Sequence, residues 1–164
     1  MRKANREIED RDGILAVLEA SDVCRIGLYA GGEVYIVPMN FGFDFTEDGT
    51  LTLYFHCASE GRKLDMIAKN PNVCFEMDTD HKLIPAKDGT ACDFSMNYAS
   101  IIGSGLIETV DGNDEKINAL IRIMQHYSDA ASFHFNENML GQTTVLRLIA
   151  NSYTGKRLSC QAEE

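Results

Sequence analysis

The spacing of its β-rich runs constrains this chain more than any other feature. "VCRIGLY" is followed, after Ala30-Gly31-Gly32, by "EVYIVPMNFGFDF", and that run, after Glu47-Asp48-Gly49-Thr50, by "LTLYFH". A Gly-Gly pair between two runs rich in β-branched and aromatic residues is a hairpin signal. Three strands joined by such short turns form an antiparallel meander. Pro38 cannot donate a ladder hydrogen bond, so it marks an edge, a bulge or a strand break.

The remaining elements follow from periodicity. A helix is expected over about Asp10 to Ala20, with Ile14, Leu15 and Leu18 on one face. A second is expected after Ser59, a plausible N-cap, with Leu64 and Ile67 inward and Asn70-Pro71 as its stop. "NVCFEMD" reads as a fourth strand, with Val73, Phe75 and Met77 alternating against polar neighbours, and residues 80–94 read as loop. "YASIIGSGLIETV" reads as a long fifth strand whose glycines indicate a bulge or a ligand approaching closely. "DGNDEKINALIRIMQHYS" reads as a helix opened by Asn113 or Asp114 and carrying Ile117, Leu120, Ile121 and Met124. "TTVLRLIANSYTGKRL" supplies a sixth strand and its tail. Hairpin-spaced strands with few inserted helices favour a closed, mainly β antiparallel barrel over a βαβ sheet.

At 164 residues the chain fits one domain with one core, residues 1–164. A formal net charge of -10 argues against duplex nucleic acid or an anionic membrane as main partner, since both select clustered positive charge. No run approaches the roughly 20 apolar residues of a membrane span, and the charged N-terminus shows no signal peptide, so a cytoplasmic protein is expected. Cys24, Cys57, Cys74, Cys92 and Cys160 form no C-x-x-C pair and are expected to be buried, reduced thiols.

One stretch points to chemistry. In "YFHCASEGRKLDMI" a strand ending at His56 passes through Ser59-Glu60-Gly61 into a helix that begins with Arg62 and Lys63. Cations in a helix's first turn oppose its dipole by a few tenths to about 1 kcal/mol, so their presence suggests an anion there. Gly61 lets the backbone approach a ligand, and Ser59 adds a hydroxyl; together they describe a phosphate cradle. The plain alternative is a solvated helix start. His56 is either a structural hydrogen-bonder or, beside such a cradle, a proton donor or an anchor for an anionic substrate.

Other motifs fail. "GSGLIE", Gly103 to Glu108, lacks the third glycine of a dinucleotide fingerprint and lies within a strand. His126 and His134 with His81 or Cys92 do not give metal-ligand spacing, so no metal site is assigned. Thr154-Gly155-Lys156-Arg157 is either an exposed polar end or a second anion contact.

Three blocks, "VPMNFGFD", "LYFHCASEGRKLDMIAKNPNVCFEMD" and "YASIIGSGLIETV", resemble the pyridoxamine 5′-phosphate oxidase-like family of flavin-binding split barrels, and most closely its NimA branch of 5-nitroimidazole-resistance proteins. The similarity runs from about Glu9 to Lys156. It implies a six-stranded antiparallel, Greek-key-like split barrel that forms a homodimer, with FMN at the subunit interface. By the same resemblance Arg62 and Lys63 hold the FMN phosphate. Val37, Pro38, Met39 and Asn40 match the strand along the isoalloxazine edge, and Phe55 and His56 match the strand end beside the ring and ribityl chain. Ser100 aligns with a further polar flavin contact. There is no counterpart of the C-terminal Arg and Trp motif with which the oxidases grip their substrate, and the chain has no tryptophan. The resemblance therefore implies an FMN-dependent oxidoreductase that reduces a small acceptor such as a 5-nitroimidazole, with His56 donating a proton or orienting the acceptor. The alternatives are a non-enzymatic flavin- or haem-binding protein on the same barrel, or a dimeric scaffold without ligand, which the intact Gly61-Arg62-Lys63 block argues against.

Overall fold

The computed structural model describes residues 4–159, so Cys160 lies outside it. Strands β1 (Glu7–Ile8), β2 (Cys24–Ala30), β3 (Glu33–Met39), β4 (Gly42–Phe45), β5 (Leu51–Ala58), β6 (Asn72–Ile84), β7 (Ser95–Thr109) and β8 (Thr143–Leu158) form one antiparallel sheet. Helices α1 (Arg11–Ala20), α2 (Arg62–Lys69), α3 (Asn113–Tyr127) and α4 (Glu137–Gln142) lie between them.

The strand order is β3-β2-β6-β7-β8-β5-β4, with β1 added on β8. Its end strands, β3 and β4, are joined only by Asn40 and Phe41. Six ladder steps laid flat would span about 29 Å, whereas a two-residue link reaches roughly 11 Å. The sheet must therefore curl until its ends meet. No ladder joins β3 to β4 among the described residues, so the chain, not hydrogen bonding, closes the barrel.

The expected six strands become eight for two reasons. The second run divides at Asn40–Phe41, and a short β1 pairs Glu7 with Lys156. Pro38 lies on β3, which pairs with β2 alone, so the edge is the reading that holds. The β2–β3 turn is a two-residue hairpin with φ of 61° at Gly31 and 86° at Gly32, values that glycine adopts without steric cost.

Residues 80–84 are not loop. β6 continues to Ile84 past a bulge between Thr79 and Lys82, with Asp80 at φ 60°. The extra residue puts Leu83, not Lys82, opposite Met96 on the barrel's outer face. The glycines of β7 meet their own chain instead of a ligand: a Cβ on Gly103 would lie 2.3 Å from the Phe75 ring, and one on Gly105 would lie 2.2 Å from the Ile149 carbonyl. A register shift at Ser104/Gly105 supplies the expected bulge. Thr154 to Arg157 do not form a free tail, because they pair with β7, and Gly155 and Lys156 also pair with β1.

Alternation fills the interior with Ile26, Leu28, Leu53, Phe55, Phe75, Met77, Ile101 and Leu148. α1 starts on Asp10, whose carboxylate accepts from Gly13 N at 2.6 Å, and buries Ile14, Val17 and Leu18 in that core. α3 and α4 cover the outer face near β5 and β8 through a second cluster of Val110, Ala119, Leu120, Ile123, Leu140 and Val145. Met124, grouped with the apolar residues of α3 in the sequence, is exposed; Ala119 and Ile123 are buried. Among the described residues no helix is long and apolar enough to cross a membrane.

Candidate functional site

The turn from β5 into α2 is built to leave a helix end open. Gly61, at φ 138°, is the N-cap, and no side chain caps the helix. Ser59 lies two residues too early, so its expected capping role is not fulfilled. The amides of Leu64 and Asp65 bond to the Gly61 carbonyl, which leaves the first-turn N–H groups directed out of the helix end. A Cβ on Gly61 would meet nothing within 4 Å, so space surrounds that end. An uncapped N-terminus with room in front of it suits a phosphate.

The two cations there are not equivalent. Arg62 Nη2 donates to Glu33 Oε2 at 2.9 Å, and its guanidinium lies 4.7 Å from the Tyr35 ring centroid. Lys63 is half-buried, makes no ion pair among the described residues, and sits near the Cys57 thiol. Burial pushes that thiol up, and the Lys63 charge opposes the rise. Glu33 and Tyr35 were not legible as site residues, since they reach Arg62 from another strand, 29 residues away in the case of Glu33.

His56 and Phe55 point to opposite sides of β5. His56 is exposed on the outer face, while Phe55 is fully buried, so only its backbone reaches that face. Likewise in β3, Met39 and Val37 turn inward, and Pro38 lies outside opposite Arg25. Exposed Asn40 donates to Asp22 O at 3.3 Å, and Phe41 N donates to Tyr127 Oη at 3.0 Å, which fixes the β3–β4 corner against α3. The β4–β5 ladder ends at Gly42–Tyr54, so Asn40 and His56 each lie two residues beyond the same rung. Ser100 is half-buried on the outer face of β7, opposite Asp78 on one side and Lys156 on the other. The β3 end, His56 and the α2 start thus share one stretch of the barrel, and Ser100 lies on another.

A cleft of about 590 Å³ lies between α3 and strands β4, β5 and β8, and its charges satisfy one another. Arg122 Nε is 2.8 Å from Asp44, and Arg147 Nη2 is 2.7 Å from Glu108. Tyr54 Oη donates to Asp44 at 2.9 Å. Burial, then that bond to a carboxylate, pushes the Tyr54 hydroxyl up to about 12.

The family model for pyridoxamine 5′-phosphate oxidase matches residues 10–157. A candidate 5-nitroimidazole antibiotic resistance protein from Bacteroides thetaiotaomicron is 32% identical, with a TM-score of 0.79 over 92% of this chain and 86% of its own. The flavocytochrome Anf3 from Azotobacter vinelandii superposes with a TM-score of 0.78 at 18% identity, covering 99% of this chain and 75% of its own. The FAD and heme binding protein from Mycobacterium smegmatis gives 0.75 at 16% identity, covering 97% and 76%. Comparison with curated proteins finds no match.

Proposed function

The chain belongs to the pyridoxamine 5′-phosphate oxidase family, and from that premise we propose that it is an FMN-dependent oxidoreductase acting on a small acceptor of the 5-nitroimidazole type. The observation that carries this reading is the open start of α2, where Gly61, Arg62 and Lys63 offer bare N–H groups and positive charge in an otherwise acidic protein. These residues would hold the flavin phosphate. The flavin would supply the redox chemistry, accepting electrons from an external donor and passing a hydride to the acceptor. The outer edge of β3 from Val37 to Asn40 and the backbone at Phe55 would orient the ring. His56, exposed on the same stretch, would donate a proton to the reduced acceptor. Ser100 lies too far along the sheet to share that stretch and would contribute from a second copy.

That second copy is itself part of the proposal. The outer face of β2, β3, β7 and β8 exposes Tyr29 (56%), Val34 (70%), Ile36 (62%), Ile102 (57%), Leu106 and Ile149, and the bulged end of β6–β7 adds Leu83 and Met96. Half-exposed, eight such side chains offer roughly 350 Å² of apolar surface. A standard interface buries about 800 Å² per partner, a little over half of it apolar, so this face supplies most of the apolar part.

The test is the visible spectrum of the purified protein before and after FMN is added, followed by anaerobic turnover with a nitroimidazole. Flavin bands that persist through gel filtration, and disappearance of the nitro absorbance on reduction, support the reading. A Soret band would move the protein to haem binding, and a colourless protein indifferent to FMN would remove the oxidoreductase assignment.

A further inference from the structure

Beside its buried stripe of Ala119, Leu120 and Ile123, α3 carries a polar one. Glu115, Asn118, Arg122 and Gln125 recur at spacings of three, four and three residues, which stacks them on one helix face. Facing them, Tyr54, Arg147 and Glu108 form one row on the outer side of the sheet, because Arg147 is the ladder partner of Tyr54 in β5 and of Glu108 in β7. Asp44 joins that row from β4 by accepting the Tyr54 hydroxyl. Stripe and row border the cleft of about 590 Å³ between α3 and the sheet, with Val110, Ala119 and Ile121 as its apolar part. That volume suits a small molecule.

The two arginines are oriented from one side and left open on the other. Arg147 turns Nε and Nη2 onto a single oxygen of Glu108, at 2.9 and 2.7 Å, while its Nη1 meets Glu115 only at 4.0 Å. Arg122 gives Nε to Asp44 at 2.8 Å, and its Nη1 reaches Gln125 only at 3.4 Å. Among the described residues the remaining guanidinium hydrogens have no carboxylate at hydrogen-bond distance. A guanidinium held in this way presents a planar fork to an incoming carboxylate. Both arginines also act electrostatically on the Tyr54 hydroxyl, which places them around one spot. The opposite charge comes from Glu115, 63% exposed and 4.0 Å from Arg147. Asp44 cannot supply it, because Arg122 and Tyr54 occupy both of its oxygens. Burial and then the Asp44 contact keep the Tyr54 hydroxyl protonated, so it adds a neutral acceptor instead of a further negative charge.

We propose that this cleft binds a free α-amino acid as its zwitterion, the carboxylate on the open sides of Arg122 and Arg147, the ammonium on Glu115, and a polar side chain beside the amides of Asn118 and Gln125. A dicarboxylate would set its second charge against Glu115, and a diamine would set one of its charges against the guanidiniums, so a ligand carrying both signs fits best. The ion pairs that must shift to admit it contribute little, since their members are 36–63% exposed. The site is separate from the α2 start and does not rest on flavin binding there.

The test is isothermal titration calorimetry of the full chain with L-glutamine and with two analogues that each lack one charge, glutaramate and 4-aminobutanamide. Saturable binding of glutamine is expected, with each analogue weaker by about tenfold or more. Arg122→Lys keeps the charge but loses the fork, and should weaken glutamine by about tenfold. Glu115→Gln should weaken glutamine to a similar degree without weakening glutaramate, which has no ammonium to lose. The Arg62→Ala/Lys63→Ala double variant should bind glutamine as the wild type does. If Arg122→Lys fails to fold, the exposed Glu115→Gln decides alone. The absence of saturable heat with glutamine, or its loss in the Arg62/Lys63 variant, would overturn the site. An analogue that binds as tightly as glutamine would overturn the zwitterion assignment.

Discussion

Replacing Glu33 with Gln should tighten FMN binding, although Glu33 is not expected to touch the ligand. Arg62 is bound to Glu33 at 2.9 Å, with the two side chains 55% and 70% exposed. A surface pair of this kind contributes about 0–1 kcal/mol. A charge-assisted hydrogen bond to phosphate contributes about 1.5–3 kcal/mol. Among the described residues Lys63 has no ion-pair partner to give up, so Lys63→Ala should lose all of that, roughly 10- to 150-fold in Kd. Arg62 must first release Glu33, so Arg62→Ala should lose less, by up to about 1 kcal/mol. Glu33→Gln removes that competition and should strengthen binding by as much as about fivefold. Quenching of FMN fluorescence during titration of the apoprotein, at low and at high salt, measures all three. The order of Kd should be Lys63→Ala weakest, then Arg62→Ala, then wild type, then Glu33→Gln, with the spread narrowing as salt rises. Weaker binding in Glu33→Gln would refute the reasoning, because Glu33 would then be positioning Arg62 instead of competing for it.

His56→Ala should retain FMN with its Kd within about twofold and lose turnover with the nitroimidazole; unaltered steady-state rates would reduce His56 to a surface residue. Ile36→Glu combined with Ile102→Glu should convert a dimer to a monomer in sedimentation velocity, and an unchanged mass would remove the outer face as the interface. Lys63→Ala should also push the Cys57 thiol further up and slow its alkylation, mapped by mass spectrometry; an unchanged rate would dissociate the two groups. The Tyr54 hydroxyl, raised to about 12, favours the neutral form in the fold, so its contribution to stability is complete below the ordinary value near 10 and is lost as pH rises from there toward 12. Denaturant melts of wild type and Tyr54→Phe across that range should converge at the alkaline end, and parallel curves would contradict the assignment.

What was legible in the sequence is what local chemistry decides. Gly31-Gly32 admits a tight turn by itself, and Ile14 and Leu18 repeat with the helical period whatever they pack against. The division at Asn40–Phe41 is different in kind. The run from Glu33 to Phe45 has the β-propensity of one strand, and the chain leaves the ladder where Phe41 N meets Tyr127, 86 residues further on. The continuation of β6 through Asp80-His81-Lys82 is equally opaque, because polar residues in a bulged arm look like loop until β7 pairs with them. In the site, the local block from His56 to Lys63 was readable, whereas Glu33 and Tyr35 reach Arg62 only through the tertiary fold. Arg157 shows the same limit, since its register against Ala99 is set by β7 and β8 together.

The place of β8 has a consequence for how the protein is made. It is the last of the described strands, yet it lies between β7 and β5 and also carries β1. About 100 residues separate the end of β5 from the end of β8. At typical synthesis rates of about 5–20 residues per second, the outer edge of β5 waits some 5–20 s for its neighbour. The nascent chain therefore carries unpaired strand edges until β8 emerges, and the two parts of the sheet join only then. A message truncated before β8 would yield not a smaller barrel but two separate sheet fragments with open, apolar edges, the kind of species that chaperones hold and proteases remove.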